Sequence, residues 1–102
     1  MKIGFYHSCF INWELERTFA WARDNGFFGI ELHGGPRYRF INWKELAEGK
    51  NTGEFGRLQE KYGMPITGIM YGALNYLSPD PAERERAKET IGILLKAAAN
   101  TG

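Results

Sequence analysis

The chain has 102 residues, room for one domain at the common domain size. Apolar content of 43% and aromatic content of 15% exclude the disordered class. With 13 basic and 12 acidic residues interspersed, the net charge of +1 leaves no electrostatic footprint for nucleic acid or an anionic membrane.

Cys9 is the single cysteine, so an intrachain disulfide is impossible and a reducing compartment is expected. The N-terminus lacks the long apolar core of a signal peptide, and no stretch has the length and apolarity of a membrane span. These features together point to a cytoplasmic protein.

The pattern opens with a short apolar run, Lys2–Tyr6, followed by a polar loop. Asn12 is an expected helix N-cap, and Leu15, Thr18, Phe19 and Ala22 then recur at helical spacing up to the breaker Asn25-Gly26. Gly29–His33 is a second strand, ended by Gly34-Gly35-Pro36, and a long polar loop comes after it. Phe55, Leu58 and Tyr62 mark one face of a second helix, closed by Gly63, and Pro65–Tyr71 is a third strand. Ser78-Pro79-Asp80-Pro81 opens a third helix with the stripe Ala87, Ile91, Leu94 and Ala98, closed by Gly102. The predicted core is Phe19, Ile30, Leu32, Leu58, Ile69, Ile91 and Leu94.

The order β-α-β-α-β-α implies an α/β fold with three parallel strands and right-handed crossovers. Phe-Ile-Asn-Trp occurs twice, at 10–13 and 40–43, each time where a helix can start on Asn. Eight βα units take about 250 residues, so three units fit this length. The chain therefore reads as the first part of a (β/α)8 TIM barrel, completed by self-association.

Functional groups in such barrels sit at the C-terminal ends of strands. Those places hold Tyr6, His7 and Ser8, then Glu31, His33, Gly34 and Gly35, then Tyr71, Asn75 and Tyr76. If Ile30 and Leu32 face the helices, alternation turns Glu31 and His33 to the opposite face, toward a barrel interior. A carboxylate and an imidazole so placed can share a metal, a proton or a sugar hydroxyl; the competing reading is a buried structural acceptor and a backbone-bonded histidine. Tyr6 and Tyr71 offer hydroxyls and stacking surface, or simply pack, and His7 is either a solvated loop histidine or a ligand. Cys9 has no evident base beside it. Glu83-Arg84-Glu85-Arg86 is a solvated helix face, and Trp13, Trp21 and Trp43 are packing wedges or contacts to another chain. No Walker loop, GxGxxG, zinc spacing or GxSxG is present.

The runs GFFGIELHGG, KYGMPITGIMY and NYLSPDPAERERAKETIGILLKAAANTG resemble the xylose-isomerase-like TIM-barrel superfamily, over its first three βα units. The resemblance implies a sugar (phosphate) isomerase or epimerase, with Glu31 on the second strand facing the barrel interior. The intact family enzyme is implied to hold a divalent metal (Mn, Mg, Co or Zn) through carboxylates and a histidine on later strands. This chain is accordingly expected to carry no metal site and no catalytic residue of its own. Tyr6, His7, Glu31, His33 and Tyr71 carry over as substrate-binding candidates, with a small sugar as the ligand of the complete barrel. The expected partner is a second copy, through exposed sheet edges or the open barrel face; nucleic acid and membrane are not expected. The alternatives are a non-catalytic self-assembling α/β module and a small flavodoxin-like binding domain. The first βα loop lacks the glycines of a phosphate-binding turn, which counts against the last.

Overall fold

The computed structural model describes residues 2–72 and 76–101. Its elements are β1 (Gly4–Tyr6), a 3-10 turn (His7–Phe10), α1 (Leu15–Asp24), β2 (Gly29–His33), α2 (Trp43–Ala47), α3 (Gly53–Tyr62), β3 (Ile66–Met70) and α4 (Pro81–Thr101). The strands form one sheet in the order β1-β2-β3, and both neighbouring pairs are parallel. The predicted alternation is present, with α2 added inside the segment expected to be loop. No helix among the described residues is long and apolar enough to cross a membrane.

Local sequence explains most of these boundaries. All four predicted apolar positions of α1 are buried: Leu15, Thr18, Phe19 and Ala22. The chain leaves α1 and α3 through Gly26 and Gly63, at φ 76 and 57, a left-handed conformation that a Cβ would strain. At the start of α4, Asp80 Oδ1 accepts the Ala82 N–H and Pro81 takes the first helical position, where its missing donor is not needed. The expected closing cap at Gly102 lies outside the described residues.

Asn12 does not cap α1. The Trp13 N–H closes onto the Phe10 carbonyl at 2.9 Å, and the two rings stack at 4.1 Å and 8°, so Asn12 is held in a turn. The helix begins instead after Glu14, without a side-chain cap. The second Phe-Ile-Asn-Trp does start a helix, since Asn42 Oδ1 accepts the Glu45 N–H at 3.1 Å to open α2.

The core lies between the sheet and the helices. Phe19, Ile30, Leu32 and Leu58 are fully buried, joined by Tyr38, Trp43, Leu46, Phe55 and Met64. Trp43 packs edge-on against Phe55 at 5.9 Å, and Trp21 lies among Phe5, Phe10 and Phe27, so both are packing wedges. Trp13 is stacked on Phe10 and covered by the Arg17 guanidinium at 3.9 Å.

The predicted stripe of α4 needs correction. Ala87 and Ala97 are its buried residues, Ile69 and Leu94 are partly buried, and Ile91 is 36% exposed. The C-terminal part of α4 is tied down on α2, where Asn100 Nδ2 donates to the carbonyls of Leu46 and Ala47 at 2.9 and 3.1 Å. Its middle stretch instead borders an open apolar cleft along β3, and this exposes Ile91.

Candidate functional site at the strand ends

Burial on β2 alternates. Ile30 and Leu32 are fully buried, while Glu31 and His33 are half-buried on the other face. Register sets their neighbours: Glu31 pairs with Tyr6 on β1 and Gly68 on β3, and His33 pairs with Met70. Between Ile30 and Glu31 the register with β3 slips by one residue, from Ile66 to Gly68, which leaves Thr67 as a bulge. Its hydroxyl donates to the Ile30 carbonyl at 3.3 Å.

Around His33 the structure gathers four of the five sequence-derived candidates. A hydrogen bond joins the Tyr6 hydroxyl to His33 Nδ1. The His33 backbone N–H donates to His7 Nδ1 at 2.9 Å. Tyr71 stands edge-on to the His33 ring, with centroids 6.3 Å apart at 78°. Gly35 completes the enclosure, because a Cβ there would lie 2.7 Å from the Tyr71 ring and 2.8 Å from His33 Nε2. The Gly34-Gly35 step is thus a close-approach requirement as well as a strand breaker.

Glu31, the fifth candidate, shares their face but forms no ion pair among the described residues. The expected Glu31–His33 partnership is therefore replaced by His33 with Tyr6 and His7. Ser8 is half-buried, Cys9 and Tyr76 are exposed, and Asn75 lies outside the described residues.

His7 is neither a solvated loop histidine nor an open ligand. It is fully buried, with its ring perpendicular to that of Tyr38 at 4.3 Å. Because Nδ1 accepts the His33 N–H, the neutral ring carries its hydrogen on Nε2, which has no hydrogen-bond partner among the described residues. Burial, and next the neighbouring His33, push its pKa down to about 4, and the Glu31 carbonyl offsets a part of this. His33 is also held below the usual histidine value, first by burial and then by the Arg37 charge. Both imidazoles are therefore neutral at pH 7.

Tyr38 is a member of the site that the strand pattern does not mark. It is 1% exposed, and its hydroxyl donates to the Trp13 carbonyl at 2.7 Å. Burial, and then the Glu14 charge, raise its pKa. The signal was there in the loop, where Tyr38 and Phe40 alternate with Arg37 and Arg39.

A divalent metal, the group the family resemblance implies, does not fit these side chains. Among the described residues no three His, Cys, Asp or Glu side chains come together. His33 Nδ1 is engaged by Tyr6, and its Nε2 is enclosed. What this sheet face offers is the Glu31 carboxylate and the Tyr6 phenol, with the His33 imidazole held beside them by its bond to Tyr6. Comparison with protein-family models, characterised proteins and solved structures finds no match for this chain.

Proposed function

We propose that this chain forms the first three βα units of a (β/α)8 barrel of the sugar (phosphate) isomerase or epimerase kind, and that its strand-end cluster binds a small polyhydroxylated ligand. The strand order carries the reading. A barrel needs consecutive parallel strands side by side, and the order here is β1-β2-β3. A flavodoxin-like sheet would instead place the first strand between the second and third. Tyr6 and His33 end β1 and β2, Tyr71 follows β3, and Glu31 lies two residues before His33 on the same face, toward the side where parallel sheets present their ligands.

Glu31 is the one carboxylate among the five candidate residues. Moving a proton next to a carbonyl takes an acid and a base on suitable sides of the substrate, so these units alone bind without turnover. The test is a titration of the ¹⁵N-labelled chain with free and phosphorylated aldoses and ketoses. The amide signals of Tyr6, Glu31, His33 and Tyr71 should shift together, and Glu31→Gln should weaken the response. Silence at all four up to about 10 mM ligand, a concentration that detects even millimolar dissociation constants, overturns the reading.

A second reading, a self-associating module, is favoured by the cleft beside β3. It has a volume of about 450 Å³ and is lined by apolar residues including Ile66, Ile69, Ile91, Leu94 and Leu95. Leu95 is 67% exposed there. By contrast, the sheet face opposite the helices carries Gly4, Tyr6, Glu31, His33 and Gly68, and Met70, paired with His33 and 45% exposed, is its main apolar surface. Of the two routes to self-association, the β3 edge therefore has the stronger driving force.

A further inference from the structure

We propose that His7 is a positioning residue whose neutral imidazole takes the place of a β1 backbone acceptor, so that the ordering of His33 depends on His7 staying uncharged. β1 ends at Tyr6, one residue before His7, while β2 continues to His33. The His33 N–H therefore lies at the end of the β1 ladder, and His7 Nδ1 accepts it at 2.9 Å. The side chain is enclosed, fully buried against the Tyr38 ring.

A proton on Nδ1 would set two donors against each other, Nδ1–H against the His33 N–H, with no room to turn aside. The end of β2 must then let go of His7. Release also loosens the anchor for the Tyr6–His33 hydrogen bond, since the His33 backbone fixes where its ring stands. The groups that bear on His7 are His33 and the Glu31 carbonyl from β2 and Tyr38 from the following loop; Arg37 acts on His33. A charge on His33 would oppose one on His7, and Arg37 opposes a charge on His33, so the neutral state is the assembled one.

Neighbouring amides provide internal controls. The Ile30 N–H donates to the Pro65 carbonyl and the Gly34 N–H to the Met70 carbonyl, both toward β3 and away from His7. Hydrogen exchange of the whole chain, corrected for intrinsic pH dependence, would compare these amides with that of His33. With a folded pKa of about 4 against 6.5 for a free histidine, the opening constant at His33 should rise more than about tenfold between pH 7 and 4.5. The amides of Ile30 and Gly34 should change far less over that range. His7→Asn, which keeps an acceptor near Nδ1 but cannot titrate there, should protect the His33 amide equally at both pH values. His7→Leu should leave that amide unprotected throughout. If His7→Leu does not fold, the His7→Asn pH profile decides alone. Equal acid sensitivity at all three wild-type amides, or an undiminished response in His7→Asn, overturns the proposal. The outcome is independent of whether any sugar binds.

Discussion

Glu16 on α1 accepts a hydrogen bond from Lys61 Nζ on α3 at 2.6 Å. Arg57 Nη2 at 3.0 Å and the Tyr62 hydroxyl at 2.9 Å converge on the same carboxylate, so one acidic side chain fastens two helices. Lys61, then Arg57, then Tyr62 hold its pKa down to about 2. A depressed carboxylate contributes stability above its unfolded value of 4.5, and loses it as pH falls through the folded value near 2. The side chains are solvent-exposed, so the effect is small and screened. Glu16→Gln should lower the melting midpoint slightly in dilute buffer and not at all in about 1 M salt. An equal drop at both salt concentrations would mean that the contact acts through packing.

Burial on α3 and α4 predicts an unequal pair of substitutions. Leu58 is fully buried, and Leu58→Ala should cost about 2–5 kcal/mol. Ile91, 36% exposed at the cleft rim, should cost under about 1 kcal/mol when changed to alanine. Urea denaturation of both variants measures this, and comparable losses would place the α4 stripe back against the sheet.

The β3 cleft predicts concentration-dependent association. Sedimentation should show species above monomer mass at micromolar concentrations, and Leu95→Lys should abolish them without lowering thermal stability. A wild-type chain that stays monomeric to about 100 μM, the range where weak protein pairs associate, argues against the self-associating module.

Gly35 predicts a local defect. A methyl group there meets two rings at 2.7 and 2.8 Å, so Gly35→Ala must displace Tyr71 or His33. The side-chain signals of Tyr71 and His33 should shift strongly, and those of Phe19 and Leu58 should not. Uniform shifts across the core would show that the loop and the core are one rigid unit.

Tyr38→Phe removes the donor to the Trp13 carbonyl and should cost about 1 kcal/mol, the usual net worth of such a bond. A neutral result would mean that water replaces the hydroxyl.

Elements built from local rules were readable in the sequence. The α1 stripe, Gly26, Gly63 and Pro81 each act through their own residue or the next turn, and β2 alternation placed Glu31 and His33 on one face. Features that depend on distant partners were not readable. The first Phe-Ile-Asn-Trp makes a turn because Phe10 stacks on Trp13, and the second makes a helix, so one tetrapeptide serves two conformations. The sequence leaves His7 as either a loop histidine or a ligand, because the residues that enclose it, Tyr38 and His33, lie far along the chain. Position along the strands alone marks Tyr6, His7, His33 and Tyr71; which of them bond to one another is set by the fold.

The Asn100 contact bears on how the molecule assembles. A five-residue helix such as α2 is far too short to persist alone, since nucleation costs more than one turn returns. Its terminal carbonyls at Leu46 and Ala47 are held by a side chain more than fifty positions later, separated from it by α3 and β3. The last contacts of α2 therefore form only once α4 has docked. On a refolding time course, the fluorescence of Trp43 should reach its final value after α3 is complete. A free chain truncated near residue 80 should leave the 43–47 segment open to protease while the parallel strands are already paired.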